Sequence, residues 1–119
     1  MKDGLYNRAL GPLPAEATRQ FSGNCLLRYT RHALSEAAED KNGPVLPPRR
    51  IFISEQSVVE VTVENGAAVK AVVREPYDVA RDLVLVLRQA HEDDSCLVIT
   101  LWTNWKHDQH ATLKQRTQP

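Results

Sequence analysis

The segment Val59-Glu-Val-Thr-Val-Glu-Asn-Gly-Ala-Ala-Val-Lys-Ala-Val-Val-Arg74 decides the fold class, because it has the pattern of a β-hairpin along its whole length. Its first half alternates valine with polar residues, as a strand with one buried face does. Asn65-Gly66 follows directly, and this dipeptide suits the positive φ angles at both centres of a tight hairpin turn. We therefore predict two antiparallel strands joined at Asn65-Gly66.

Two apolar runs follow the hairpin, and one helical pattern precedes it. Residues 82–88 and 96–102 are apolar at successive positions, which is typical of central strands covered on both faces. Between Tyr29 and about Asp40, apolar residues recur at three- and four-residue spacing, as on one side of a helix. Thr30 is placed to cap the start of this helix, and Asn42-Gly43-Pro44 to end it.

These elements together predict an α+β chain. Residues 1–27 are rich in glycine and proline with little periodicity, so we interpret them as an N-terminal arm. Residues 28–119 then form a single α+β domain, in which one main helix is followed by a four-stranded antiparallel sheet with meander topology. A length of 119 residues suits one core and not two.

Composition and charge narrow the class of function. Fifteen basic and fifteen acidic residues cancel, so bulk attraction to nucleic acid is not expected and any contact with RNA would be local. No run approaches the length of a membrane span, and no signal-peptide pattern is present, so we expect a cytoplasmic protein without membrane contact. Cys25 and Cys96 lie among apolar residues, which predicts buried free thiols in a reducing compartment. The chain has no glycine-rich phosphate loop, and we expect no cofactor.

Three residues in the predicted helix and hairpin are candidates for chemistry. His32, near the helix start, could act as a general acid or base because its reference pKa lies near neutrality. Its alternative role is packing and hydrogen bonding at the helix terminus. Lys70 and Arg74 share one face of a strand and could bind a phosphate. Alternatively, they could be charged residues on a solvent-exposed sheet face, or they could pair with glutamates across the hairpin.

A second group of candidates follows the last predicted strand. Polar and aromatic side chains leave the end of a rigid strand there, which is how many sites are built. These residues are Asn104, Trp105, His110 and Thr112. His107 and His110 have the spacing of a helical metal pair, but too few further ligands are near, so we predict no metal site. Trp105 could stack on a base or fill the core.

The order of these parts resembles two groups of proteins. A Thr30-Arg-His-Ala33 helix start, a Val-rich hairpin, the run Asp82-Leu-Val-Leu-Val-Leu87 and the tail Trp102-Thr-Asn104 with Asp108-Gln-His-Ala-Thr-Leu113 resemble small bacteriophage and prophage proteins of unassigned role. In that group an aspartate usually follows the Thr-Leu pair, where this chain has Lys114. The helix-then-meander order is also similar to the fold of the barnase, colicin and RelE-like ribonuclease toxins.

The two resemblances imply different functions. The first implies a phage- or prophage-type accessory protein without catalysis, which binds an unknown protein partner through its arm and a sheet edge. The second implies a metal-independent ribonuclease that cleaves RNA by general acid–base catalysis. In that case His32 and His110 would be the acid and base, Lys70 and Arg74 would hold phosphate, Asn104 and Thr112 would orient substrate, and Trp105 would contact a base. The sequence leaves the oligomeric state open.

Overall fold

A computed structural model describes residues 1–89 and 95–108, and this part of the chain is mostly sheet. The elements follow in the order β1 (Gly4–Asn7), α1 (Ala15–Gln20), β2 (Gly23–Tyr29), α2 (Arg31–Ala38), β3 (Arg50–Ile53), a single 3₁₀ turn (Glu55–Ser57), β4 (Val58–Glu64), β5 (Ala67–Pro76), β6 (Arg81–Gln89) and β7 (Ser95–Trp105). The strands form one seven-stranded sheet in the order β1-β4-β5-β6-β7-β2-β3.

The prediction of an N-terminal arm and one main helix followed by a four-stranded antiparallel meander is wrong. β4 to β7 are consecutive antiparallel neighbours, but they form the middle of a larger sheet. β1 adds to β4, and β2 pairs in parallel with β7 and carries β3 on its other side. The sheet is therefore mixed, and two short helices accompany it. Pairing between strands far apart in sequence leaves little local signal, so these three strands were missed.

Two local predictions are confirmed. The turn between β4 and β5 has φ angles of 53° at Asn65 and 77° at Gly66, as a two-residue hairpin turn requires. The Thr30 side chain accepts a hydrogen bond from the backbone N–H of Ala33 at 3.0 Å and so caps α2. Both features depend on neighbouring residues alone, which is why sequence pattern finds them.

The two faces of the sheet are covered differently. The helix face carries the larger core, in which α1 packs against β4 and β5, and α2 packs against β7 and β2. The opposite face, called here the outer face, carries a smaller apolar cluster of Val72, Val84, Val86 and Trp102. No helix within the described ranges is long and apolar enough to cross a membrane. Cys25 and Cys96 are both buried and form no disulfide, as predicted.

Candidate functional site

His32 is exposed at the start of α2 and pairs with Glu36, whose carboxylate also hydrogen-bonds to β7. Its Nε2 lies 3.3 Å from Oε1 of Glu36, one helical turn further on. The same oxygen accepts hydrogen bonds from the Thr100 hydroxyl and from the backbone N–H of Leu101, the latter at 3.2 Å. His32 therefore contacts the residue that fastens α2 to β7.

Arg74 is held in an ion-pair cluster on the outer face. Its Nε lies 2.9 Å from Oδ2 of Asp82, and one terminal nitrogen donates to the backbone carbonyl of Trp105 at 3.0 Å. Lys106 Nζ lies 2.9 Å from the other oxygen of Asp82. One carboxylate thus binds two cations, so the cluster of Arg74, Asp82 and Lys106 carries a net positive charge.

Asn104 lies beside this cluster. It is paired across the strands with Asp82, which places both side chains on the outer face. Asn104 is 2% exposed, and its Nδ2 has no hydrogen-bond partner in the described part of the chain. Trp105, at the end of β7, is 41% exposed, so it does not fill the core.

The structure brings together only some of the candidate residues. Arg74 and Asn104 lie beside Asp82 on the outer face. Trp105 contributes only its backbone carbonyl to this cluster, because its side chain projects to the other face from that of Asn104. Lys70 lies further along β5, opposite Thr62, and within residues 1–89 and 95–108 no hydrogen bond or ion pair joins it or His32 to Arg74. His110 and Thr112 lie outside the described residues. The roles assigned to all these side chains stay predictions.

The surface that sequence reasoning missed is the edge of the sheet at β3. No strand lies beyond β3 in the described part of the sheet. The backbone N–H of Leu27 donates to the carbonyl of Arg49 at 2.8 Å. Hydrogen-bonded and non-hydrogen-bonded residue pairs alternate along antiparallel strands. The backbone N–H and C=O groups of Ile51 and Ile53 therefore point towards β2, while those of Arg50 and Phe52 point away from the sheet.

The side chains of Arg50 and Phe52 project to the outer face. Cys25 and Leu27 belong to the larger core, so Leu26 between them points to the opposite side, together with its cross-strand partner Arg50. Asn24 and Phe52 form the next pair on this face. An open groove of about 400 Å³ lies here and is lined by Asn24, Cys25, Leu26, Arg50, Ile51 and Phe52. We call the outward backbone and side chains of Arg50 and Phe52, with this groove, the β3 edge surface.

The chain leading into β3 is fixed by hydrogen bonds. The Val45 N–H donates to the Ala37 carbonyl at 2.8 Å, and the Leu46 N–H donates to the Tyr77 hydroxyl at 2.8 Å. The Tyr29 hydroxyl donates to the carbonyl of Pro48. The prolines of this connector restrict the backbone further. The β3 edge surface is therefore held in an extended conformation before any partner arrives.

The remaining titratable groups point to no metal centre. Within the described residues, no group of three or more His, Cys, Asp or Glu side chains is placed to hold a metal ion.

A hydrogen bond with Cys96 lowers the pKa of the Cys25 thiol to about 7, and the same contact together with burial raises the pKa of Cys96.

Comparison with known proteins adds no relative: no family model, no curated protein and no solved structure matches this chain.

Proposed function

We propose that this chain is a non-enzymatic protein-binding domain that takes an extended segment of a partner protein as an additional strand on the β3 edge surface. The observation that carries the proposal is the edge itself, where Arg50 and Phe52 direct outward backbone donors and acceptors that pair with no other strand in the described part of the chain. An extended peptide satisfies such groups by main-chain hydrogen bonds and adds specificity through alternate side chains. The phage or prophage origin implied by the resemblance stays a prediction.

Comparison of the two edges of the sheet favours β3 over β1 as the binding edge. Phe52 in β3 and Leu5 in β1 are both 63% exposed, so each edge offers one large apolar side chain. At β1, however, the carbonyl and side-chain oxygens of Asn7 accept the N–H groups of Leu10 and Ala9. This local turn uses part of the β1 edge, whereas β3 keeps two outward residues and has the groove beside it.

The fixed connector also supports binding by strand addition. A segment that is already extended loses little conformational freedom when a partner strand adds to it, and affinity gains from this preorganisation. The Val45, Leu46 and Pro48 hydrogen bonds supply that preorganisation.

The test is a selection of short random-sequence peptides displayed on yeast against the folded chain. Amide hydrogen exchange of the chain is then measured with a selected peptide. We expect the amides of Arg50 and Phe52 to become protected. Phe52→Pro removes one outward donor without breaking a bond to β2, and we expect it to weaken binding about tenfold, the worth of one hydrogen bond between chains.

The matched control is Leu5→Pro, which removes an outward donor at the opposite edge and should leave peptide affinity unchanged. Phe52→Ala keeps the N–H and separates the side-chain contribution from the backbone contribution. A library that yields no binder would overturn the proposal. It would equally be overturned by binders whose affinity is the same for Phe52→Pro, or whose protection lies away from β3.

A further inference from the structure

We infer that the partner strand is acidic, with an apolar side chain opposite Phe52 and a carboxylate two residues later opposite Arg50. This inference rests on the proposed function and names the chemistry of the partner. It follows from the charges and the side-chain directions at this end of the sheet.

The two strands that form the β3 end of the described sheet carry basic residues and no acidic ones. The strands β2 and β3, with sequences Gly23-Asn-Cys-Leu-Leu-Arg-Tyr29 and Arg50-Ile-Phe-Ile53, contain no aspartate or glutamate. Arg49 and Arg50 are exposed, and no hydrogen bond or ion pair in the described part of the chain engages either guanidinium. An uncompensated pair of arginines at an edge attracts a partner of opposite charge and repels one of like charge.

The basic character continues across the outer face. Leu97 in β7 is paired with Arg88 in β6 and aligned with Arg28 in β2, so these arginines lie on the same face as Arg50. Arg88 is exposed and has no partner within the described residues. A segment that adds to β3 therefore approaches a face on which β3 and β6 both carry exposed arginines, and these attract carboxylates.

Register sets the order of side chains in the partner. A residue directly opposite another in an antiparallel pair projects to the same face, about 5 Å away. Residues opposite Arg50 and Phe52 therefore point to the outer face and are two positions apart in the partner. Because an antiparallel partner runs in the reverse direction, the residue opposite Phe52 comes first. Its apolar side chain packs on Phe52 over the groove, and the carboxylate that follows pairs with Arg50, whose planar fork suits it.

Two other occupants fit this surface less well. A second copy of the chain, paired edge to edge about a twofold axis, would set Arg50 of each copy opposite Phe52 of the other and bring both arginines together with no counter-charge. Single-stranded RNA would meet the arginines, but Phe52 is the one aromatic side chain that β2 and β3 direct to this face, whereas RNA readers stack several bases. RNA also leaves the outward backbone groups of β3 unused.

The experiment uses two synthetic strand peptides with a Thr/Val background and the full chain. One peptide contains Leu-Thr-Glu and the other Leu-Thr-Lys at the same place. At low ionic strength we expect the glutamate peptide to bind about tenfold more tightly, as a close charge pair can provide, and to protect the amides of Arg50 and Phe52. Arg50→Glu should reverse the preference, and Arg19→Glu, an exposed arginine on α1, should not.

The outcomes separate the inference from the proposed function. If both peptides protect the β3 amides equally and Arg50→Glu changes nothing, the acidic partner is wrong and strand addition stands. If neither peptide protects these amides, both strand addition at β3 and the acidic partner are wrong. If an oligouridylate binds through Arg50 and Arg88 while the peptides do not, the surface binds RNA instead. A dimer that is abolished by Phe52→Pro and excludes both peptides would identify a second copy as the occupant and overturn the inference.

Discussion

Asp40 accepts hydrogen bonds from both the backbone N–H and the hydroxyl of Thr103, the former at 3.1 Å. β2 ends at Tyr29, opposite Val98, so within residues 1–89 and 95–108 no strand pairs with the second half of β7 on that side. Side chains from α2 and the turn after it make the hydrogen bonds to the β7 backbone there. Glu36 accepts the Leu101 N–H, Asp40 accepts that of Thr103, and Asn42 Nδ2 donates to the Thr103 carbonyl at 3.1 Å.

Replacing Asp40 tests this arrangement. Thr103 is fully buried, so Asp40→Ala leaves its backbone N–H and its hydroxyl proton without an acceptor, away from water. We expect the free energy of unfolding to fall by about 1–3 kcal/mol. Urea denaturation measures this, with Glu39→Ala as the control because Glu39 is exposed and adjacent. Equal stability of the two variants would show that water replaces the carboxylate without cost.

The two ion pairs of Asp82 should differ in strength. Arg74 is 16% exposed and also bound to the Trp105 carbonyl, whereas Lys106 is 38% exposed. Salt screens an exposed pair more, and a long flexible side chain loses more entropy on pairing. In double-mutant cycles with alanine, we expect about 1 kcal/mol of coupling for Arg74 with Asp82 and below about 0.5 kcal/mol for Lys106 with Asp82. Coupling that is larger for Lys106 would contradict the assignment of Arg74 as the structural partner.

Elements of the fold could be predicted where the residues that determine them are close together in the sequence. The Asn65-Gly66 turn and the Thr30 cap are set by adjacent residues, and both predictions are confirmed. β2 was hidden because its sequence shows three successive apolar residues and no alternation, and its partner β7 is a distant parallel strand. β1 is four residues long, too short for periodicity to emerge among the glycines and prolines around it.

The same limit applies to the candidate site. Residue type singled out Arg74 and Asn104, and the strand register places both beside Asp82, a residue that no sequence pattern marked as part of a site. The β3 edge surface was missed because Pro47 and Pro48 lie just before it and predict an extended connector over residues 45–50, which hides the start of β3. Its alternation of outward Arg50 and Phe52 with inward Ile51 and Ile53 was a signal that could have identified it.

Glu75 should make stability depend on pH. Burial raises the pKa of its carboxyl, although hydrogen bonds from Ser57 and from the backbone of Ser54 oppose the shift. A carboxyl with a raised pKa in the folded state favours folding when protonated. Its contribution is therefore fully present below the pKa of the unfolded chain and is lost as pH rises through the folded value.

We therefore expect Glu75→Gln to gain stability relative to the native chain as pH rises from about 4 towards 7, because only the native chain must ionise a poorly solvated carboxyl. Urea midpoints measured across this range provide the comparison. Glu64→Gln, at an exposed carboxyl, should follow the native chain at every pH. A difference between Glu75→Gln and the native chain that stays constant with pH would rule out the buried carboxyl as its source.

The full chain should not cleave RNA beyond background. A ribonuclease needs a cation placed to receive charge on the phosphate, but the Arg74 guanidinium is held by Asp82 and the Trp105 carbonyl. His32 pairs with Glu36 on α2, which packs on the helix face of the sheet, whereas Arg74 lies on the outer face. The measurement follows a fluorescently labelled RNA with the native chain and with the double variant His32→Ala/His110→Ala, purified identically. Equal residual cleavage by the two is expected and identifies contaminating nuclease. Cleavage by the native chain alone would establish the ribonuclease interpretation and exclude a purely non-enzymatic role.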